Sequence, residues 1–162
     1  MGNSIVESQM EDVQQFLSNT VSTFENFLNE TTLLVLKEEG QGDERYYKSI
    51  LSNLRKLLVF CEEGYEACRI ILMSDQFQRG AAEQTLYKLY HHCIEEFFSP
   101  KNDAWYENSR SAYTGKNSIR FHHEVPVRLE NLFRGLESDF QKIREELEYY
   151  ETDYRTKMMQ SK

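Results

Sequence analysis

Residues 126–159 read PVRLENLFRGLESDFQKIREELEYYETDYRTKMM. Leu129, Phe133, Leu136, Phe140, Ile143, Leu147, Tyr150 and Tyr154 recur at alternating steps of four and three. That spacing puts them on one stripe of an α-helix, the side that a folded chain buries. Pro126 suits a first helical position, where its missing N–H costs nothing. The spacing predicts one helix over 126–159.

The same period appears upstream. Ala82, Leu86, Leu89, Cys93 and Phe97 predict a helix over 78–98, which Pro100 prevents from continuing. Tyr47, Ile50, Leu54, Leu57, Cys61, Tyr65, Cys68 and Leu72 predict a helix over 44–73, with Asp43 as its cap. Val6, Met10, Val13, Leu17, Val21, Phe24, Leu28 and Thr31 predict a helix over 5–36. Ser4 and Glu7 have the spacing of a capping box at its start. Four amphipathic helices with short first and second connections imply an all-α, up-down-up-down four-helix bundle. Residues 1–162 are expected to form a single domain.

Gly64 lies within the second helix beside Cys61, Ala67 and Cys68. The small side chains fit a close helix crossing, with room for a small ligand as the alternative. The three cysteines are expected to be buried and reduced, since Cys61 and Cys68 are too far apart along one helix for a disulfide.

Residues 99–123, SPKNDAWYENSRSAYTGKNSIRFHH, interrupt the helical pattern. They hold the one tryptophan, Trp105. A long loop in a compact domain is commonly functional, and its aromatic content argues for order. The third helix is shorter than its neighbours, so the loop is expected to be ordered and to fold over the gap. Trp105, Tyr106, Tyr113 and Phe121 would then supply apolar cover. Lys101, Arg110, Lys116 and Arg120 outnumber Asp103 and Glu107, whereas the chain as a whole carries a net charge of −8. The acidic balance argues against general nucleic-acid binding. The first thirty residues contain five acidic side chains and no apolar core of a signal peptide, and no run is long enough to span a membrane. The expected location is the cytoplasm.

Several strings occur together: Asn29-Glu30-Thr31-Thr32, Phe60-Cys61-Glu62-Glu63-Gly64, the run from Cys93 to Asp103 (CIEEFFSPKND), Tyr113-Thr114-Gly115-Lys116-Asn117-Ser118, and Glu148-Tyr149-Tyr150-Glu151-Thr152-Asp153-Tyr154. In these the chain resembles the YpuI family, small cytoplasmic proteins of spore-forming Gram-positive bacteria. The resemblance covers nearly the whole chain. It implies a soluble bacterial protein and brings no assigned activity and no catalytic residues.

The motifs exclude more than they assign. Gly115-Lys116-Asn117-Ser118 lacks the earlier glycine, and the Ser or Thr directly after Lys, that a phosphate-binding loop needs. It reads as a tight turn. The Glu-x-x-His pairs of di-iron bundles do not occur. His92, Cys93, His122 and His123 could be combined into a zinc set, but solvated or loop-docking histidines are the simpler reading, and neither a metal nor a cofactor is expected. Arg120-Phe121-His122 has the wrong spacing for the bundle ribonucleases of the HEPN type. His91 with Glu95, and His92 with Glu96, have the i,i+4 spacing of helix-surface pairs.

The residues therefore read as a non-enzymatic protein-interaction or regulatory module using 99–123. Its contact residues would be Trp105, Tyr106, Arg110, Tyr113, Lys116, Asn117 and Arg120. The expected partner is an unidentified protein, with a homodimer also expected and with no nucleic acid or membrane. The competing reading is a binder of, or enzyme acting on, a small phosphate or carboxylate held by Arg110, Lys116, Arg120 and His122.

Overall fold

The computed structural model of the chain describes residues 2–108 and 117–160. The protein is mostly helical. Its elements are α1 (Asn3–Glu30), α2 (Leu33–Glu39), α3 (Glu44–Met73), α4 (Arg79–Leu89), a π turn (Tyr90–Ile94), α5 (Glu95–Phe98), β1 (Trp105–Glu107), β2 (Ile119–Phe121), α6 (Val127–Glu146), a 3-10 turn (Glu148–Tyr150) and α7 (Asp153–Gln160). α1 lies chiefly along α3, α4 packs against both, and α6 packs against α1. The apolar stripes meet in one core, from Val6 in α1 to Leu147 beyond α6.

α3 has the expected bounds, and the Asp43 carboxylate accepts from the Arg45 N–H at 3.3 Å. Before it, Gly42 donates its N–H to the buried Tyr47 hydroxyl at 2.8 Å. A Cβ on Gly42 would lie 2.7 Å from Tyr47 Cζ, so the turn needs glycine there. Gly64 answers to a close crossing: an added Cβ would collide with the Leu89 side chain and lie 3.2 Å from Leu17 Cδ1. A hollow of about 230 Å³ lies beside that crossing.

The other three expected helices are each interrupted. The helix expected over 5–36 breaks at Thr31-Thr32, where the Thr32 hydroxyl accepts from the Val35 N–H at 3.2 Å and starts α2. The Thr31 hydroxyl accepts from Arg128 at 3.3 Å. Ser4 does not cap α1. The Gly2 carbonyl accepts from the Val6 N–H at 3.3 Å, so the helix begins before Ser4.

The π turn interrupts the helix expected over 78–98. Its extra residue rotates the next helical turn about the axis. His91 still meets Glu95, at 3.1 Å, but Glu96 is turned inward and accepts from the Lys101 N–H instead of pairing with His92. His92 faces the Phe60 ring, with centroids 5.3 Å apart.

The helix expected over 126–159 ends as α6 at Glu146. The chain then turns through Leu147 and the 3-10 turn into α7. Leu147, Tyr150 and Tyr154 are buried all the same. The Tyr150 carbonyl is held by His91 Nε2 at 3.2 Å, and the Tyr149, Tyr150 and Tyr154 rings pack on one another.

Candidate functional site

The stretch expected to be a long irregular loop contains an antiparallel β-ribbon. Its register is Trp105 opposite Phe121, Tyr106 opposite Arg120, and Glu107 opposite Ile119. Side chains alternate across a strand. Trp105 and Ile119 point into the protein, and Tyr106 points out. The residues preceding the strands include Asp103 and Asn117, with φ of 55° and 54°. Short polar side chains tolerate this left-handed backbone.

Three anchors hold the ribbon. The Trp105 indole donates to the Phe97 carbonyl at 2.6 Å and packs edge-on against Phe133 at 4.6 Å. Phe121 meets the same Phe133 ring at 5.3 Å. From α3, the Tyr46 hydroxyl donates to the Ala104 carbonyl at 2.7 Å and accepts from the His122 N–H at 3.0 Å. Burial raises the Tyr46 phenol above its ordinary pKa, which keeps the proton that this bridge donates. From α6, Arg144 grips Glu107 and Glu137 grips Ser118.

Glu137 is 3% exposed. Both its oxygens accept from one donor, the Ser118 N–H, at 3.1 and 3.2 Å. Beside it lies a half-open cleft of about 590 Å³, walled by the second strand, residues 122–125 and the first turns of α6.

The expected contact residues divide clearly. Trp105 is 0% exposed, so it is a prop inside the fold and not part of any surface. Tyr106 is 38% exposed and its ring lies 5.0 Å from that of His122. His122 Nε2 is 3.2 Å from the Asp103 carboxylate. Asn117, Arg120 and His122 line the cleft. The Arg120 guanidinium donates to the Asn117 carbonyl and, at 3.3 Å, to the Ile119 carbonyl. Arg110, Tyr113 and Lys116 lie outside the described residues. Among the described residues, no three His, Cys, Asp or Glu side chains are grouped to hold a metal ion.

Sequence reasoning missed Tyr46, Glu137 and Arg144. For the last two a signal existed. Phe133, Glu137, Phe140 and Arg144 are spaced by four, three and four, so two charges sit on a stripe that must be buried. Charged residues are almost never buried unless they are paired. Tyr46 carried no such mark beside the equally aromatic Tyr47.

Among the described residues, no helix is long and apolar enough to cross a membrane. No solved structure matches the chain. It is 51% identical over 151 residues to the Uncharacterized protein YpuI of Bacillus subtilis (strain 168), a match spanning 93% of this chain and 84% of that protein. The family model described as "Protein of unknown function (DUF3907)" matches residues 10–156, and the chain belongs to that family.

Proposed function

We propose that the protein is a cytoplasmic, non-enzymatic recognition module. In this reading α1, α3, α4–α5 and α6 act as an up-down-up-down bundle, a rigid mount for the ribbon and its cleft. One observation carries the proposal. Trp105, Glu107 and Ser118 are each hydrogen-bonded to a helix, while Tyr106, Asn117 and His122 are left exposed, with the Tyr106 and His122 rings 5.0 Å apart. Rigid scaffolds that present a short exposed segment are the common arrangement of binding surfaces. Tyrosine and arginine are favoured at such contacts.

The partner in this reading is a protein, a second copy of the chain included. The test is photo-crosslinking in the native host from position 106, with position 59 on the outer face of α3 as the control. The expected result is a defined species trapped from 106 and not from 59, and lost when His122→Ala is added. Equal trapping from both positions, or none from 106, rejects the proposal.

A further inference from the structure

We propose that the cleft beside the ribbon is a binding site for a protonated amine or guanidinium group, with the Glu137 carboxylate as its counter-charge. This goes beyond the recognition reading and does not depend on a protein partner.

An ionised carboxylate offers about four acceptor positions. Glu137 is almost wholly buried, yet among the described residues one N–H, that of Ser118, serves both its oxygens. No lysine, arginine or histidine forms an ion pair with it among the described residues. A buried carboxylate is expensive unless it is paired and hydrogen-bonded. Glu137 also lines the cleft, so a ligand entering there can reach it.

The surroundings select the sign of the ligand. Arg134 leans toward Glu130 at 3.8 Å, and Arg120 is engaged with backbone carbonyls. His122 faces Asp103 at 3.2 Å and the His123 ring packs edge-on against Tyr46, so an anion in the cleft would meet Glu124 and Glu137 beside the Arg134–Glu130 pair. A cation would meet those same carboxylates, at a wall that also includes Phe121. The volume of about 590 Å³ admits a small organic molecule or one long side chain.

The test uses the full chain and three probes: pentylguanidinium, its neutral isostere pentylurea, and acetylated, amidated arginine as a stand-in for a protein side chain. Binding is followed by titration and by the amide resonance of Ser118. The expected result is that pentylguanidinium moves the Ser118 resonance and binds at least about tenfold tighter than pentylurea. Glu137→Gln keeps an acceptor for the Ser118 N–H and should weaken pentylguanidinium by at least about tenfold. The comparison with pentylurea is made on the parent protein, so it holds even if that variant folds poorly. Binding of the arginine derivative as well as pentylguanidinium assigns the cationic group to a protein side chain. Binding of pentylguanidinium alone assigns it to a free small molecule. Equal affinity for pentylurea, unchanged affinity in Glu137→Gln, or a Ser118 response to inorganic phosphate and to neither cation overturns the proposal.

Discussion

Arg144 and Glu107 face each other through two hydrogen bonds of 3.0 and 2.7 Å, with side chains only 22% and 17% exposed. The guanidinium also lies 3.6 Å over the Phe98 ring and bonds Gln141. One residue of α6 thus ties together the end of β1 and the end of α5. Removing one partner of a mostly buried pair leaves the other charge without compensation. Arg144→Met should therefore cost about 2–4 kcal/mol, less than a fully buried pair would because solvent reaches part of it. Glu107→Gln in the Arg144→Met background should recover part of that loss. Urea denaturation of both single variants and the double variant measures the coupling, and strictly additive losses would show that the two groups do not cooperate.

The Tyr46 hydroxyl ties α3 to the backbone on both sides of the ribbon, at Ala104 and at His122. Tyr46→Phe removes it while keeping the ring and its edge-on contact with His123 at 4.9 Å. The Ala104 carbonyl and the His122 N–H then lose their partner together. The expected cost is about 1–3 kcal/mol, the range for leaving such groups unsatisfied. Hydrogen exchange should speed up at His122 while the middle of α3 stays protected. Trp105, as the single tryptophan, gives a fluorescence check that the indole remains buried.

How much of this could be read in the chain depends on the length of each pattern. α3 was legible to its ends, because thirty residues repeat one period between a capping aspartate and the turn beyond Met73. The break at Thr31-Thr32 was not, because Thr31 continues the spacing of Leu28 and nothing local forbids helix there. It comes from hydroxyls that find other partners, the Val35 N–H and Arg128. The π turn left no trace in the pattern, since it is a shift of hydrogen bonding and not of composition. Strands of three residues, WYE and IRF, are too short for alternation to stand out. Their pairing rests on long-range contacts with Tyr46, Phe133, Glu137 and Arg144. The surface role expected of Trp105 failed for a related reason: one aromatic in a polar segment looks the same whether it plugs a gap or meets a partner.

The three thiols should be inert in the folded protein. Cys61, Cys68 and Cys93 are all free and fully buried. Burial pushes the Cys68 thiol up to about 12. Cys93 is raised well above its ordinary value by its hydrogen bond with Cys61 and then by burial. The thiolate is the reactive form, so chemistry and access oppose labelling together. A chromogenic disulfide reagent should titrate no thiol under native conditions and three in denaturant. Fast native labelling of Cys93 alone would instead reveal local opening at the π turn.

Stability should fall as the pH rises from mildly acidic to neutral, through the carboxyl of Glu146. Its pKa is pushed up from 4.5 to about 7, first by burial, then by its hydrogen bond with Asp12 and by the Asp12 charge. Two carboxyl groups can share such a bond only through a proton. Proton counting gives the sign. Between 4.5 and about 7 the folded chain holds a proton that the unfolded chain has released, so raising the pH favours unfolding. The contribution is fully present below 4.5, is lost through about 7, and changes no further above that. Asp12, Asp139, Lys142 and Glu145 line the same groove, so the diagnostic quantity is the difference between parent and variant. Glu146→Gln keeps the shape without a titrating proton. Its melting temperature should exceed that of the parent at about pH 8 and converge on it near about pH 5. Melting curves of both proteins across that interval decide the matter, and parallel curves would mean that the pair carries no proton of its own.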